Sequence, residues 1–134
     1  MKIEILGTNC NLDTVRDGRG GIFTWYPKEP IVEVNMLYFT AGSHRGYHYH
    51  PEFVEYFLVV EGTLVLITKD SPEAPEEHLH MTKGTFIRTP KGIPHAYHAI
   101  TPVTAIAMLS NKWNDSNPPI IHAEYLEQKK SKKE

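Results

Sequence analysis

Apolar and polar residues alternate along this chain in short runs, and no long segment repeats an apolar residue at helical spacing. The runs that suit strands are Ile31–Thr40, His44–His50, Glu55–Val60, Thr63–Thr68, His78–Thr82, Thr85–Thr89, His95–Ile100 and Val103–Leu109. Several are rich in Val, Ile, Thr, Tyr and Phe, and they are bounded by Gly, Pro, Asp or Asn. The pattern predicts an all-β chain, and many short strands with regular turns predict a barrel or a sandwich. Glu61-Gly62 separates F-L-V-V from T-L-V-L-I-T and predicts a hairpin, because glycine reaches the positive φ of a tight turn. Lys69–Glu77 is polar and carries proline, so it reads as an exposed loop; Asn114–Pro119 is a second break. Ile120–Leu126 fits a strand or a short helix, and no internal repeat is evident.

A length of 134 residues predicts one domain with a core that needs no staples. The net charge of −2 offers nucleic acid no electrostatic footing. Lysines 129, 130, 132 and 133 form a short basic tail, expected to be solvated. Cys10 is the sole cysteine, which rules out an internal disulfide and agrees with a reducing compartment. No basic-then-apolar leader and no apolar stretch of membrane-spanning length is present, so no membrane partner and a cytoplasmic location are expected.

Strand alternation puts His48 and His50 on one face and Tyr47 and Tyr49 on the other. Pro51 ends that strand. Glu55 then heads an inward stripe with Phe57 and Val59, and a carboxylate placed there needs a partner, because burying its charge alone is costly. A cation answers that need. His95 follows the turn Pro90-Lys91-Gly92-Ile93-Pro94, which feeds it into a neighbouring strand. Three imidazoles and one carboxylate suit one divalent transition-metal ion, and Fe, Mn, Ni, Zn and Cu all remain open. Among the other histidines, Leu79 and Met81 point inward, so His78 and His80 point out. His44 shares the His48 face unless Gly46 bends the strand, His98 falls opposite His95, and His122 has no context. Tyr97 shares the His95 face and is either a proton donor or an ordinary wall residue.

These residues resemble the cupin superfamily. Its first motif, G-x5-H-x-H-x4-E-x6-G, is matched at every spacing by Gly42, His48, His50, Glu55 and Gly62. Its second, G-x5-P-x-G-x2-H-x3-N, is matched by Gly84, Pro90, Gly92 and His95, with Ala99 in place of the asparagine. The resemblance implies a single all-β jelly-roll barrel with a metal in its mouth. The expected layout is a cupin barrel over residues 1–127 with an N-terminal strand extension, then a basic tail at 128–134.

A second resemblance lies upstream. Asp17-Gly18-Arg19-Gly20-Gly21-Ile22-Phe23 looks like the D-x-R-G-x-F/L opening of the nucleotide-sugar cupins, the dTDP-4-dehydrorhamnose 3,5-epimerases and dTDP-sugar 3,4-ketoisomerases. Asn35 and Arg45-Gly46-Tyr47-His48-Tyr49 resemble their N…R-G-L/F-H-x-Q/H run, and Trp113-Asn114-Asp115 resembles a family tail. This resemblance implies an isomerase or epimerase acting on a nucleotide-linked keto-sugar, with His48 as general base and His50 and Tyr97 beside it. It implies Arg19, Arg45 and Asn35 as substrate contacts and a homodimer in which an N-terminal strand crosses to the partner. A histidine whose lone pair is on a metal cannot also accept a proton. Either an ion polarises the ketone as a Lewis acid, or His48 and His50 are free for acid–base work. A metal-dependent oxygenase, a free-sugar isomerase and a non-catalytic small-molecule-binding barrel are the other readings.

Overall fold

A computed structural model describes residues 1–8 and 13–126, with backbone alone for 13–16. Cys10 and the basic tail lie outside the described residues. Twelve strands follow in chain order: β1 Glu4–Gly7, β2 Asp13–Asp17, β3 Gly20–Phe23, β4 Glu33–Phe39, β5 His44–Tyr49, β6 Glu55–Glu61, β7 Leu64–Thr68, β8 Glu77–Met81, β9 Phe86–Thr89, β10 His95–Ala99, β11 Val103–Leu109 and β12 Ile121–His122. A 3-10 turn at Trp113–Asp115 precedes β12. All eight predicted runs are strands, their ends displaced by at most two residues: β6 runs one residue further, β8 starts one residue earlier, and most of the others are shorter than expected. Ile120–Leu126 resolves as both options: two residues of strand, then a helical turn from Glu124.

The strands form two five-stranded antiparallel sheets facing each other, in the orders β1-β9-β6-β11-β4 and β12-β5-β10-β7-β8, plus the separate ribbon β2-β3. This is the jelly-roll arrangement. Consecutive strands change sheet repeatedly, which stacks the two sheets face to face with β1, β4, β12 and β8 at their edges. The predicted hairpin at Gly62 is one such change. β6 pairs with β9 and β11, whereas β7 pairs with β8 and β10, so the chain turns a corner from one sheet to the other instead of doubling back. The glycine is still required: φ is +94°, and an added Cβ would overlap the Pro102 carbonyl oxygen.

Inward residues fill the space between the sheets. Alternation is clean on β11, where Val103, Ala105, Ala107 and Leu109 are buried and the residues between them are only partly covered. The interior cluster includes Phe39, Phe57, Leu64, Leu66, Met81 and Tyr97. Phe57 and Tyr97 stack at 4.3 Å with their planes 15° apart, and Phe39 meets both edge-on. Each such side chain contributes about 1.5–3 kcal/mol by leaving water. Outside the first sheet the segment before β4 lies over β6 and β9. There Tyr56 donates to Glu29 and accepts from the Lys28 amide at 2.6 Å, and Arg88 bridges Glu29 and Glu4. The second sheet carries a small outer cluster of Tyr47, Ala96, Ala123 and Leu126. One face stays bare. β4 is an edge strand, and its outward row Val34, Met36 and Tyr38 is 63%, 61% and 67% exposed.

Candidate functional site

The two sheets bring the motif residues together at one end of the barrel. His48 comes from the end of β5 and His50 from the residue just past it, Glu55 from the start of β6 and His95 from the start of β10. His95 is the direct cross-strand partner of His48, which puts both rings on one face. The three rings form a nearly equilateral triangle, with centroids 4.9, 5.0 and 5.1 Å apart. Each offers one nitrogen, and all three nitrogens lie within 4.8 Å of one another. The Glu55 carboxylate stands 3.6 Å from Nε2 of both His50 and His95, an electrostatic distance too long for a hydrogen bond.

The outer edges of two rings are tied down. His50 Nδ1 lies 3.1 Å from the Pro119 carbonyl and His95 Nδ1 3.1 Å from the Ile93 carbonyl. A carbonyl only accepts, so in both rings Nδ1 carries the proton and Nε2 the lone pair. Both Nε2 atoms are buried with no hydrogen-bond partner. Buried acceptors left open in a cluster of this composition are what a metal ligand set looks like, carbonyl-anchored second edges included. Electrostatics agree. Burial, then the neighbouring His95 and His50, lowers the His48 pKa to about 3. Burial lowers His95 to about 4 although Glu55 pulls the other way. Burial pushes the Glu55 carboxyl up, but the His50 ring, then His95 and His48, outweighs it, so the carboxyl sits below its usual value. The residues therefore fit a divalent cation: His48 and His95 rings that resist protonation, beside an ionised carboxylate.

These groups floor a cavity of ≈ 390 Å³ lined also by Leu37, Arg45, Gly46, Phe57, Tyr97 and Trp113. That volume is in the range of small-molecule sites. Tyr97 is buried, and its hydroxyl has no hydrogen-bond partner. Burial, followed by the nearby Glu55 charge, raises its pKa well above the ordinary phenol value. A register shift on β5 changes the expected facing of two residues. Ala96 pairs with Gly46 and His95 with His48, so Tyr47 is the extra residue of a bulge. Gly46 has φ +103°, where an added Cβ would come 2.7 Å from the His95 carbonyl oxygen. Tyr47 has φ 62°, a strained conformation for a bulky residue that costs about 1–3 kcal/mol. Beyond the bulge, Arg45 pairs with Tyr97 and turns inward, while His44 pairs with His98. The His44 ring stacks on His98 at 4.2 Å although the residue borders the cavity mouth.

The other sequence candidates fall elsewhere. Arg19 sits on the β2–β3 ribbon, 89% exposed and paired to Asp17 at 2.6 Å, beside a separate shallow recess with Gly20 and Ile22. Within one chain it does not reach the cavity. Asn35 is exposed on β4 and donates to Glu33 at 2.8 Å; Leu37, two residues on, lines the cavity and Asn35 does not. His78 and His80 face out as alternation requires, with His78 2.7 Å from Glu76. His122 pairs across β12 and β5 with His48. Sequence reasoning missed Trp113 as a wall, 6.1 Å from His50, and the Pro119 carbonyl as its anchor. A backbone acceptor leaves no residue-type signal, and Trp113 was noted only as part of a tail motif.

Comparison with known proteins agrees with this fold. No curated protein matches the chain in sequence. Among solved structures, a 3,4-ketoisomerase from Helicobacter canadensis superposes with TM-score 0.76 at 15% identity, covering 94% of this chain and 96% of that one. A TDP-quinovose 3,4-ketoisomerase from Campylobacter jejuni gives 0.75 at 18%, with coverage of 95% and 98%. A 3'-monoepimerase from Streptomyces bikiniensis, in complex with dTDP-quinovose, gives 0.67 at 23%, with coverage of 84% and 67%. At these identities the likeness is one of fold. The family model for the cupin domain matches residues 35–110, more than half the chain and all of the imidazole cluster. The chain belongs to the cupin family.

Proposed function

We propose that this cupin is a carbohydrate isomerase or epimerase that moves a proton next to the carbonyl of a nucleotide-linked keto-sugar, with a divalent transition-metal ion held by His48, His50, His95 and Glu55. The observation that carries it is the pair of buried, partnerless Nε2 atoms on His50 and His95 facing His48 across the cavity floor. When bound, the ion supplies Lewis acidity that polarises a carbonyl and acidifies the adjacent C–H. The reaction class is supported by the likeness to ketoisomerases and an epimerase over nearly the whole chain.

The chain's own groups have distinct places. Arg45 stands at the mouth with its Cζ 6.0 Å from the Phe39 ring, suited to an anionic diphosphate. Phe57, Leu37 and Trp113 exclude water from the cavity walls. Tyr97 holds its proton at Oη, a donor to the carbon or oxygen that is reprotonated. An imidazole whose protonation is suppressed to about pH 3, as in His48, is a better ligand than resting base. In the ion-free chain His48 is the least enclosed of the three rings, so it is the one a bound substrate reaches if the work is acid–base. The bare outward row on β4 supports assembly with a second copy, and a homodimer in the cytoplasm is the proposed setting.

The test is solvent-deuterium incorporation into TDP-4-keto-6-deoxyglucose, with and without a chelator. Exchange that the chelator abolishes is the expected result. Exchange that survives the chelator returns the base role to His48. No exchange and no nucleotide-sugar binding at millimolar ligand would overturn the reading, and substrate-dependent oxygen uptake would replace it with an oxygenase.

A further inference from the structure

We infer that Tyr47 and His44 are positioning residues for Arg45: together they latch the β5 bulge from outside the barrel, and the latch is what turns the guanidinium into the cavity. Alternation carried back from His48 without interruption would send Arg45 to the outer face and His44 to the inner one. The opposite is found. Arg45 stands beside Tyr97 on the inner face, and His44 stands beside His98 with its ring stacked on the outer side and the residue at the rim of the cavity mouth. One extra residue, Tyr47, makes the difference.

A bulky side chain at φ 62° is uncommon and persists only where its surroundings over-determine it. Three outer contacts do so. The Tyr47 ring is 6% exposed, packed against Ala96, Ala123 and Leu126. Its carbonyl accepts from the Ala123 amide at 2.7 Å. Its hydroxyl lies 2.7 Å from His44 Nδ1, closing a loop over Arg45 and Gly46, and the His44 ring is in turn held flat against His98. With both ends of residues 44–47 fixed outside, the Arg45 side chain is left the inner side. Among the described residues no ion pair or hydrogen bond engages its guanidinium, so its donors are available at the mouth. The consequence for ligand binding rests on the nucleotide-sugar reading above; the latch does not.

The test compares wild type with Tyr47→Phe, His44→Ala, His44→Asn and Arg45→Gln, using dTDP as the titrant, zinc as a second titrant, and a crystal structure of Tyr47→Phe. Phenylalanine keeps the packing and removes only the hydroxyl, and asparagine can set an amide where Nδ1 stood. Tyr47→Phe and His44→Ala are each expected to weaken dTDP binding about tenfold, with His44→Asn recovering most of it. On an Arg45→Gln background, Tyr47→Phe is expected to add less than about twofold, because both changes remove one interaction. Zinc affinity is expected to hold, and the crystal structure to show Arg45 withdrawn from Phe39. Additive losses, or parallel losses of zinc and dTDP, would overturn the inference; so would a Tyr47→Phe structure with Arg45 still over Phe39. If the wild type binds no dTDP, the nucleotide reading falls, and the crystal structure alone decides the latch.

Discussion

Two arginine-bearing segments stand out in the sequence, and the fold treats them differently. Arg45 lies on β5, which pairs from His44 to His48 with β10 and, at His48 and Tyr49, with β12. Arg19 lies on the β2–β3 ribbon, which among the described residues pairs only with itself. That strand delivers its residues to fixed points: His48 opposite His95, Arg45 opposite Tyr97. The ribbon leaves Arg19 in solvent, engaged locally by Asp17. A motif locates a site only where cross-strand pairing to the body of the barrel fixes which way each side chain points.

The largest expected effect separates the wall from the ribbon outright. His95→Ala or His50→Ala is expected to weaken zinc binding by more than about 100-fold, since even outer-shell changes cost up to that much. Arg19→Gln is expected to leave it unchanged. Isothermal titration reads both. Acid comes next. His48 and His95 have folded pKa values near 3 and 4, depressed from 6.5 chiefly by burial. Between those values the unfolded chain binds protons that the folded chain refuses. The metal-free protein is therefore expected to lose stability as pH falls from 6.5 toward 4, at roughly 1.4 kcal/mol per pH unit for fully buried His95 alone. Denaturant melts at stepped pH check this, and a flat profile would mean that the cluster is open to water.

Two glycines sharpen the same contrast. Gly62→Ala puts a Cβ into the Pro102 carbonyl at φ +94°, and a loss of about 2 kcal/mol or more in thermal stability is expected. Gly18→Ala on the ribbon meets nothing within 4 Å and is expected to change stability by no more than about 0.5 kcal/mol. The smallest effects concern ligand. Arg45→Gln is expected to weaken dTDP binding about tenfold, the lower bound for a charge-assisted hydrogen bond, and Arg19→Gln by less than about twofold. Equal losses at the two positions would put the ribbon against the cavity of a second copy.

Much of this was legible from residues alone. Eight strands followed from alternation and turn residues, because each half-buried strand must repeat with period two. The inward set His48, His50, Glu55 and His95 followed from the same parity plus spacing. Parity also shows where legibility ends. The bulge at Gly46–Tyr47 shifts it by one residue, so Arg45 and His44 exchanged faces; only Gly46 hinted at this. The turn at Gly62 was recognised, but whether the next strand stays in its sheet depends on distant partners, β10 and β8, that no local pattern names. The resemblance implied an N-terminal strand extension, but no local pattern located β1 to β3, which are short and, for β3, glycine-led. The Pro119 carbonyl that orients His50 is backbone, invisible to any residue-type pattern.

The central claim is convergence: imidazoles from β5 and β10 that point their lone pairs at one cation. X-ray absorption on protein loaded with zinc and freed of excess metal tests it most directly, together with elemental analysis of the same sample. One ion per chain is expected, with nitrogen ligands at about 2.0–2.1 Å and a signal lost in His95→Ala. Zinc at no more than trace stoichiometry after loading, or an ion coordinated without imidazole nitrogen, would contradict it.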